Sequence, residues 1–328
     1  MRLQLLDEIR AVVDFDSYAW LLTDPRTSVG CAPLADVPCL PELPRLIRLK
    51  YLTAINRWTA LGDAPVALLD EMTGGDPSRS LLWSELLCGY GVTDVASVVF
   101  RDRFGCWGFL DLWRQGEGST FERPEATFLA SIAAPIATAL RRSQANTFLT
   151  LPSGNVGRLG PVVLLLSADL EVRAQTPETE QHLRLLVPST EHAAPIPASA
   201  YNVGAQLLAA EAGVDGNAPF ARMHLTGGEW VTVRAARIGS NGPLERRDIA
   251  ITIETCSPAE RLGVFCAAFG LSAREREMLG LLATGCDTRE LARKAFVSEH
   301  TVQDHLKAIF AKTDSHNRRT LLSRALGR

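Results

Sequence analysis

The chain has 328 residues, 46% of them hydrophobic and 22% charged, and a formal net charge of −3. That length allows two or three domains with cores of their own, and the composition is that of a globular chain rather than a disordered one. No apolar run reaches the roughly eighteen residues of a membrane helix, and Asp7 follows the start too closely for a secretory signal, so a cytoplasmic protein with no membrane partner is expected. The charge is uneven. Residues 265–328 hold eleven Lys and Arg against seven Asp and Glu, a net of +4, whereas the first 264 hold 23 against 30. A basic end on an acidic body is the electrostatic footprint of a phosphate-binding module. The cysteines at 31, 39, 88, 106, 256, 266 and 286 form no Cys-x-x-Cys, so no zinc site or disulfide framework is expected. Buried, reduced thiols are the simpler reading, with redox sensing at Cys31, Cys39 or Cys106 as the alternative.

Residues 1–145 open with a helix over 3–13, on which Leu5, Leu6, Ile9, Val12 and Val13 share a face. Strands over 18–23 and 28–32 flank the turn triplet Asp24-Pro25-Arg26. Residues 33–44 are proline-rich and read as irregular, 45–58 as helical, and a loop at Gly74-Gly75-Asp76-Pro77 precedes a helix over 80–88. A second hairpin, 95–101 with 106–113, turns at Asp102-Arg103-Phe104-Gly105, and a long helix over 121–142 follows. This order predicts an antiparallel sheet with helices on one face, α+β in class. Over 91–139 it resembles a GAF domain, most clearly in Trp107-Gly108-Phe109-Leu110-Asp111-Leu112-Trp113-Arg114 and in Phe121-Glu122-Arg123-Pro124-Glu125. GAF domains often hold a small effector over the sheet. Trp107, Phe109 and Trp113 alternate onto one strand face and are the candidate pocket, although aromatic residues at period two also fill a plain core.

Residues 143–160 turn to Ser, Thr, Gly, Asn and Pro, a linker composition. A second module over 158–256 then reads as two strands (161–167, 171–175), two helices (177–186, 200–212) and three strands (221–225, 230–236, 248–254). The order resembles that of PAS domains, as do the Leu166-Ser167-Ala168-Asp169-Leu170-Glu171 turn and the Gly-Glu-Trp before Val231. His182 and His192 fall where some PAS domains hold haem; a lone histidine there is more simply a surface or satisfied residue, so no cofactor is expected. Ser257-Pro258-Ala259-Glu260 then caps a connecting helix over 257–270.

The last stretch, 271–328, has the densest code. Ser272 with Glu275 and Asp287 with Glu290 are capping boxes, Gly285 is a helix stop between them, and Ser298 caps a third helix. The second helix is expected to carry Leu291, Ala292 and Phe296 inward. The third carries Val302, Leu306, Ile309 and Phe310 inward, leaving His300, Thr301, Gln303, Asp304 and Lys307 outside. Two short helices joined by a tight turn, the second polar on its outer face, describe an all-α helix-turn-helix that enters a major groove. The residues resemble the DNA-binding domain of the LuxR/FixJ family. The matches are Arg274-Glu275-Arg276-Glu277, Leu281-Leu282-Ala283, Gly285, Glu290-Leu291-Ala292, Ser298, Thr301-Val302, His305, Ile309, Lys312 and Asn317-Arg318. That resemblance assigns base reading to Gln303, Asp304 and Lys307. The recognition-helix face and phosphate contacts fall on Ser298, His300, Thr301, His305, Lys312, Arg318 and Arg319. The family usually has Lys where this chain has Gln303.

No phosphate-cradling Gly-x-x-x-x-Gly-Lys, no Gly-x-Ser-x-Gly and no His-Glu-x-x-His occurs, and the chain does not open like a phosphoacceptor receiver, so no catalytic residue and no metal site is assigned. The expectation is a sensory transcription regulator that binds double-stranded DNA as a homodimer under control of a ligand, such as a small-molecule effector, or of a partner sensed by the GAF-like and PAS-like modules. The competing expectation is an adaptor or anti-activator that acts by protein–protein interaction and whose last domain has lost DNA binding.

Overall fold

A computed structural model describes residues 1–116, 118–149, 162–179, 183, 198–225, 228–239, 243 and 247–327. The first module is built on β1 (Ser17–Thr23), β2 (Gly30–Asp36), β3 (Val66–Leu68), β4 (Val92–Asp102) and β5 (Gly105–Gln115), in the order β2-β1-β5-β4-β3. All neighbours are antiparallel. Both faces are covered, not one as the sequence pattern predicts. Trp20, Val98, Phe100, Leu110 and Leu112 pack with Leu6 and Ile9 of α1 (Arg2–Arg10) and with Leu129, Ile136 and Leu140 of α5 (Arg123–Asn146). On the opposite face, Leu21, Val95, Val99, Phe109 and Trp113 meet Leu46, Ile47, Leu49 and Tyr51 of α2 (Leu43–Leu52). Strands apolar at odd and even positions alike need a cover on each side.

Several boundaries differ from expectation. Residues 33–44 are irregular only in part, because β2 runs through Pro33 to Asp36 on the sheet edge, where a missing N–H is tolerated, and Pro44 sits in the first turn of α2. Helix α2 stops at Leu52, well before Trp58, as Thr53 turns extended and Asn56 takes φ +53°. Helix α1 stops at Arg10 and leaves Val12 exposed. The expected helix over 80–88 is α4 (Leu81–Glu85) followed by a tighter turn, and β3 with α3 (Leu69–Thr73) carried no sequence signal strong enough to place them.

The second sheet contains β6 (Val162–Leu166), β7 (Val172–Gln175), β8 (Phe220–His224), β9 (Trp230–Arg237) and β10 (Ile249–Thr255), in the order β7-β6-β10-β9-β8. Numbered within each module, both sheets share one strand order. Helix α6 (Ala198–Glu211) crosses the second sheet and is buried on nearly all sides, because its other flank packs on α2 and β2 of the first module. Small residues allow this. A Cβ on Gly204 would stand 3.0 Å from Leu170 Cδ2. Much of the expected helix over 177–186, with His182, lies outside the described residues, as do His192 and the hairpin turn at 226–227.

Among the described residues, two buried ion pairs join the modules. Arg222 on β8 meets Asp24 of the β1–β2 turn at 2.7 Å, with side chains 2% and 0% exposed. Arg57 holds Asp215 at 2.7 Å and Gln206 Oε1 at 3.1 Å. The linker reading of 143–149 is also corrected: α5 continues to Asn146, and Phe148 stacks on Trp230 at 4.7 Å and edge-on to Phe265 at 5.3 Å. Phe265 belongs to α7 (Pro258–Ala268), whose packing against α5 and α11 (Arg318–Leu326) carries one apolar core from the first module into the C-terminal bundle. That bundle is completed by α8 (Ala273–Ala283), α9 (Thr288–Lys294) and α10 (Glu299–Thr313).

Candidate nucleic-acid interface and ligand cavity

The interface is set up by local capping. Ser298 Oγ accepts from the Thr301 N–H at 3.1 Å and starts α10. Val302, Leu306 and Ile309 are then buried at helical spacing, and the same periodicity puts Gln303, Asp304 and Lys307 in solvent. Asp304 lies 3.6 Å from His300 Nε2 and 3.7 Å from Lys307 Nζ, so the exposed face of α10 carries an acid between two basic groups. Thr301 and His305 are half-buried on its flanks.

The remaining positions divide. Lys312 does not stand free: its ammonium binds Glu275 at 2.6 Å, tying α10 to α8. Partial burial opposes ionisation of Glu275, but the Lys312 and Ser272 hydrogen bonds prevail and hold its carboxyl below the usual range. Arg318 donates to Thr288 Oγ1 at 2.6 Å and braces α11 against the start of α9, whereas Arg319 is exposed. Phe296 is a correction: it is 94% exposed at φ +56° instead of facing inward. Helix α9 ends at Lys294, so the helical phase that buries Leu291 and Ala292 no longer governs Phe296, and the left-handed backbone aims it outward.

Two of the three candidate pocket residues lie at one cavity. A cavity of about 260 Å³ lies between β1, β2, β5 and α2, and Phe109 and Trp113 line it. Trp107 does not. The ladder slips between Phe100 and Arg101, leaving Trp107 as the extra residue of a bulge, and it turns to the α5 side with Leu110, its Nε1 donating to Asp102 Oδ1 at 2.9 Å. The polar groups at the cavity were missed by sequence reasoning. Lys50 Nζ lies 2.7 Å from Asp111 Oδ2, with side chains 9% and 5% exposed; Ser97 Oγ donates to Asp111 Oδ1 at 2.7 Å. The one available signal was a lone acid between Phe109 and Trp113 on an apolar strand. Ala198 and Asn202 of α6 close the wall from the other module.

Thiol chemistry is disfavoured where it was entertained. Burial pushes Cys31 up to about 12 and Cys39 up to about 11, and raises Cys106 as well. Among the described residues, no group of three or more His, Cys, Asp or Glu is placed to hold a metal ion, and no helix is long and apolar enough to cross a membrane.

The model of the family described as bacterial regulatory proteins, luxR family, matches residues 270–325, and this segment is a LuxR-family domain. The monoamine regulon transcriptional regulator of Klebsiella aerogenes is 44% identical over 54 residues, which span 16% of this chain and 24% of that relative. Among solved structures, the VqmA dimer of Vibrio cholerae without target DNA overlaps 52% of this chain and 84% of its own at 16% identity and a TM-score of 0.20. A VqmA–ligand–DNA complex from the same organism overlaps 52% and 83% at 19% identity and a TM-score of 0.20. The sensor region of a sensor histidine kinase overlaps 77% and 87% at 15% identity and a TM-score of 0.18.

Proposed function

We propose that the protein is a non-enzymatic, sequence-specific DNA-binding transcription regulator of the cytoplasm. Its α10 enters the major groove, and GAF-like (1–145) and PAS-like (158–256) modules bias it through the connecting helix over 257–270. The observation that carries the reading is the division of α10: Val302, Leu306 and Ile309 buried, and Gln303, Asp304 and Lys307 presented together to solvent within a LuxR-family domain. Gln suits N6 and N7 of adenine, Asp accepts from N4 of cytosine, and Lys takes guanine or a phosphate oxygen. A homodimer on a two-fold site is the arrangement that gives such a helix a second half-site. The shared strand order of the two sheets supports reading the body as paired sensory modules.

Binding-site selection tests this. Gln303→Ala changes the preferred base at one position of each half-site, by about 1–3 kcal/mol for a good bidentate contact. Arg319→Ala weakens all sequences alike and flattens the salt dependence. Unchanged base preferences in the Gln303→Ala protein would overturn the assignment. The adaptor reading draws on one observation, the Asp304 carboxylate beside Lys307 on the reading face. An adaptor binds no DNA at any salt, so a salt titration separates the two.

A further inference from the structure

We infer that the cavity over the first sheet takes a small, uncharged, largely apolar molecule bearing a carbonyl or hydroxyl group, and that α6 senses its occupancy. The inference deepens the effector part of the regulator reading and rests on that reading only for transmission to DNA. Size comes first: about 260 Å³ lies just below the range of ordinary small-molecule sites, which sets a small ligand. The walls are Leu21, Leu43, Leu46, Ile47, Phe109 and Trp113, so most of that ligand is apolar.

Charge decides the rest. Lys50 and Asp111 both line the cavity and already neutralise one another. A carboxylate would bring a second anion beside Asp111 and an amine a second cation beside Lys50, each without a free counter-ion, which is expensive next to side chains only 5% and 9% exposed. A neutral polar group meets no such penalty. Lys50 has three N–H bonds, of which one goes to Asp111 Oδ2 at 2.7 Å and one to Asn56 O at 3.0 Å. Among the described residues no third acceptor is found for the ammonium, which otherwise faces the Trp58 and Phe109 rings at 5.9 Å, and a ligand oxygen is a stronger acceptor than either ring.

The fourth wall belongs to the second module. Asn202 is 1% exposed; its Nδ2 donates to Ala198 O at 2.9 Å, but its Oδ1 has no hydrogen-bond partner among the described residues. A buried amide oxygen without a partner is costly, and a ligand donor would relieve it. One turn further along α6, Gln206 accepts from Arg57, while Val203, Ala205 and Ala209 are fully buried in the core they share with the second sheet. Any shift of Asn202 toward or away from a ligand is therefore a shift of a rigid helix wedged between both sheets.

The probe is acetophenone, neutral with one carbonyl, compared with benzoate on the purified full-length chain. Saturation-transfer NMR is expected to show acetophenone binding at about 1 mM or tighter, with benzoate at least about tenfold weaker. Hydrogen exchange of the α6 amides is expected to slow with 1-phenylethanol, the alcohol of the same frame, whose hydroxyl can donate to Asn202 Oδ1. Ala19→Leu and Ala35→Val both reduce the cavity and are expected to abolish binding; a variant whose melting curve departs from the parent's is set aside in favour of the other. Benzoate binding as tight as acetophenone overturns the charge argument, and binding retained by a folded variant overturns the location. Unchanged exchange in α6 overturns the coupling. No acetophenone binding while the same preparation still retards DNA overturns the whole inference and leaves the regulator reading standing.

Discussion

The C-terminal bundle and the two-sheet body are held by opposite means. In the bundle each helix is started by a side chain three residues from the amide it caps: Ser257 with Glu260, Ser272 with Glu275, Asp287 with Glu290, Ser298 with Thr301 and Asn317 with Thr320. In the body the deciding contacts span the chain, Arg222 to Asp24 across 198 residues and Arg57 to Asp215 across 158. Local contacts need little loop closure and tolerate loss one at a time. A desolvated ion pair does not, since removing one partner strands the other charge.

The largest expected effect breaks the body. Arg222→Met leaves the fully buried Asp24 carboxylate without its counter-ion and costs about 3–5 kcal/mol. Tryptophan fluorescence reports it cleanly, because Trp20, Trp58, Trp83, Trp107, Trp113 and Trp230 all lie in the body. The denaturant midpoint falls in the single variant and largely recovers when Asp24→Leu is added. A midpoint equal to the parent's would show the pair to be ornamental.

Asp287→Ala is smaller, about 0.5–2 kcal/mol, and stays local. Amide exchange rises in α9 while tryptophan fluorescence does not move; a common change in both would mean that bundle and body unfold as one unit.

Smaller again is the acid response of Glu275. Its carboxyl is depressed in the folded chain, so its contribution to stability is present above the unfolded value of about 4.3 and is lost as pH falls through that value to the lower folded one. Helical circular dichroism across this window is expected to show the parent losing an advantage that Glu275→Gln never has. Parallel curves would place the stabilisation elsewhere.

Asp304→Asn has the smallest effect on folding, under about 1 kcal/mol, because all three members of the His300–Asp304–Lys307 cluster are exposed. On the proposed function its effect on DNA binding has a definite sign: removing the carboxylate is expected to release Lys307 to phosphate and to steepen the salt dependence by about one ion. A shallower slope would place Lys307 away from the backbone.

What the sequence by itself determined is what neighbours in the chain decide. The capping residues, the Gly285 stop and the 3.6-residue spacing of Val302, Leu306 and Ile309 set the helices of the bundle and the outward position of Gln303, Asp304 and Lys307, since each requires only a few adjacent residues. Most strands of the two sheets were legible as short apolar runs between turn signals, but β3 was not. Tertiary structure decided the rest. A one-residue bulge, invisible in an alternating pattern, took Trp107 off the cavity face; a helix ending at Lys294 turned Phe296 outward; Glu275 claimed Lys312 from a different helix. Helix α6 read as an ordinary helix, and its burial on nearly all sides follows only from being packed between two sheets. The Lys50–Asp111 pair joins a helix to a strand 61 positions away. No local pattern encodes such a meeting, because it comes from the order in which strands pair and not from the residues beside them.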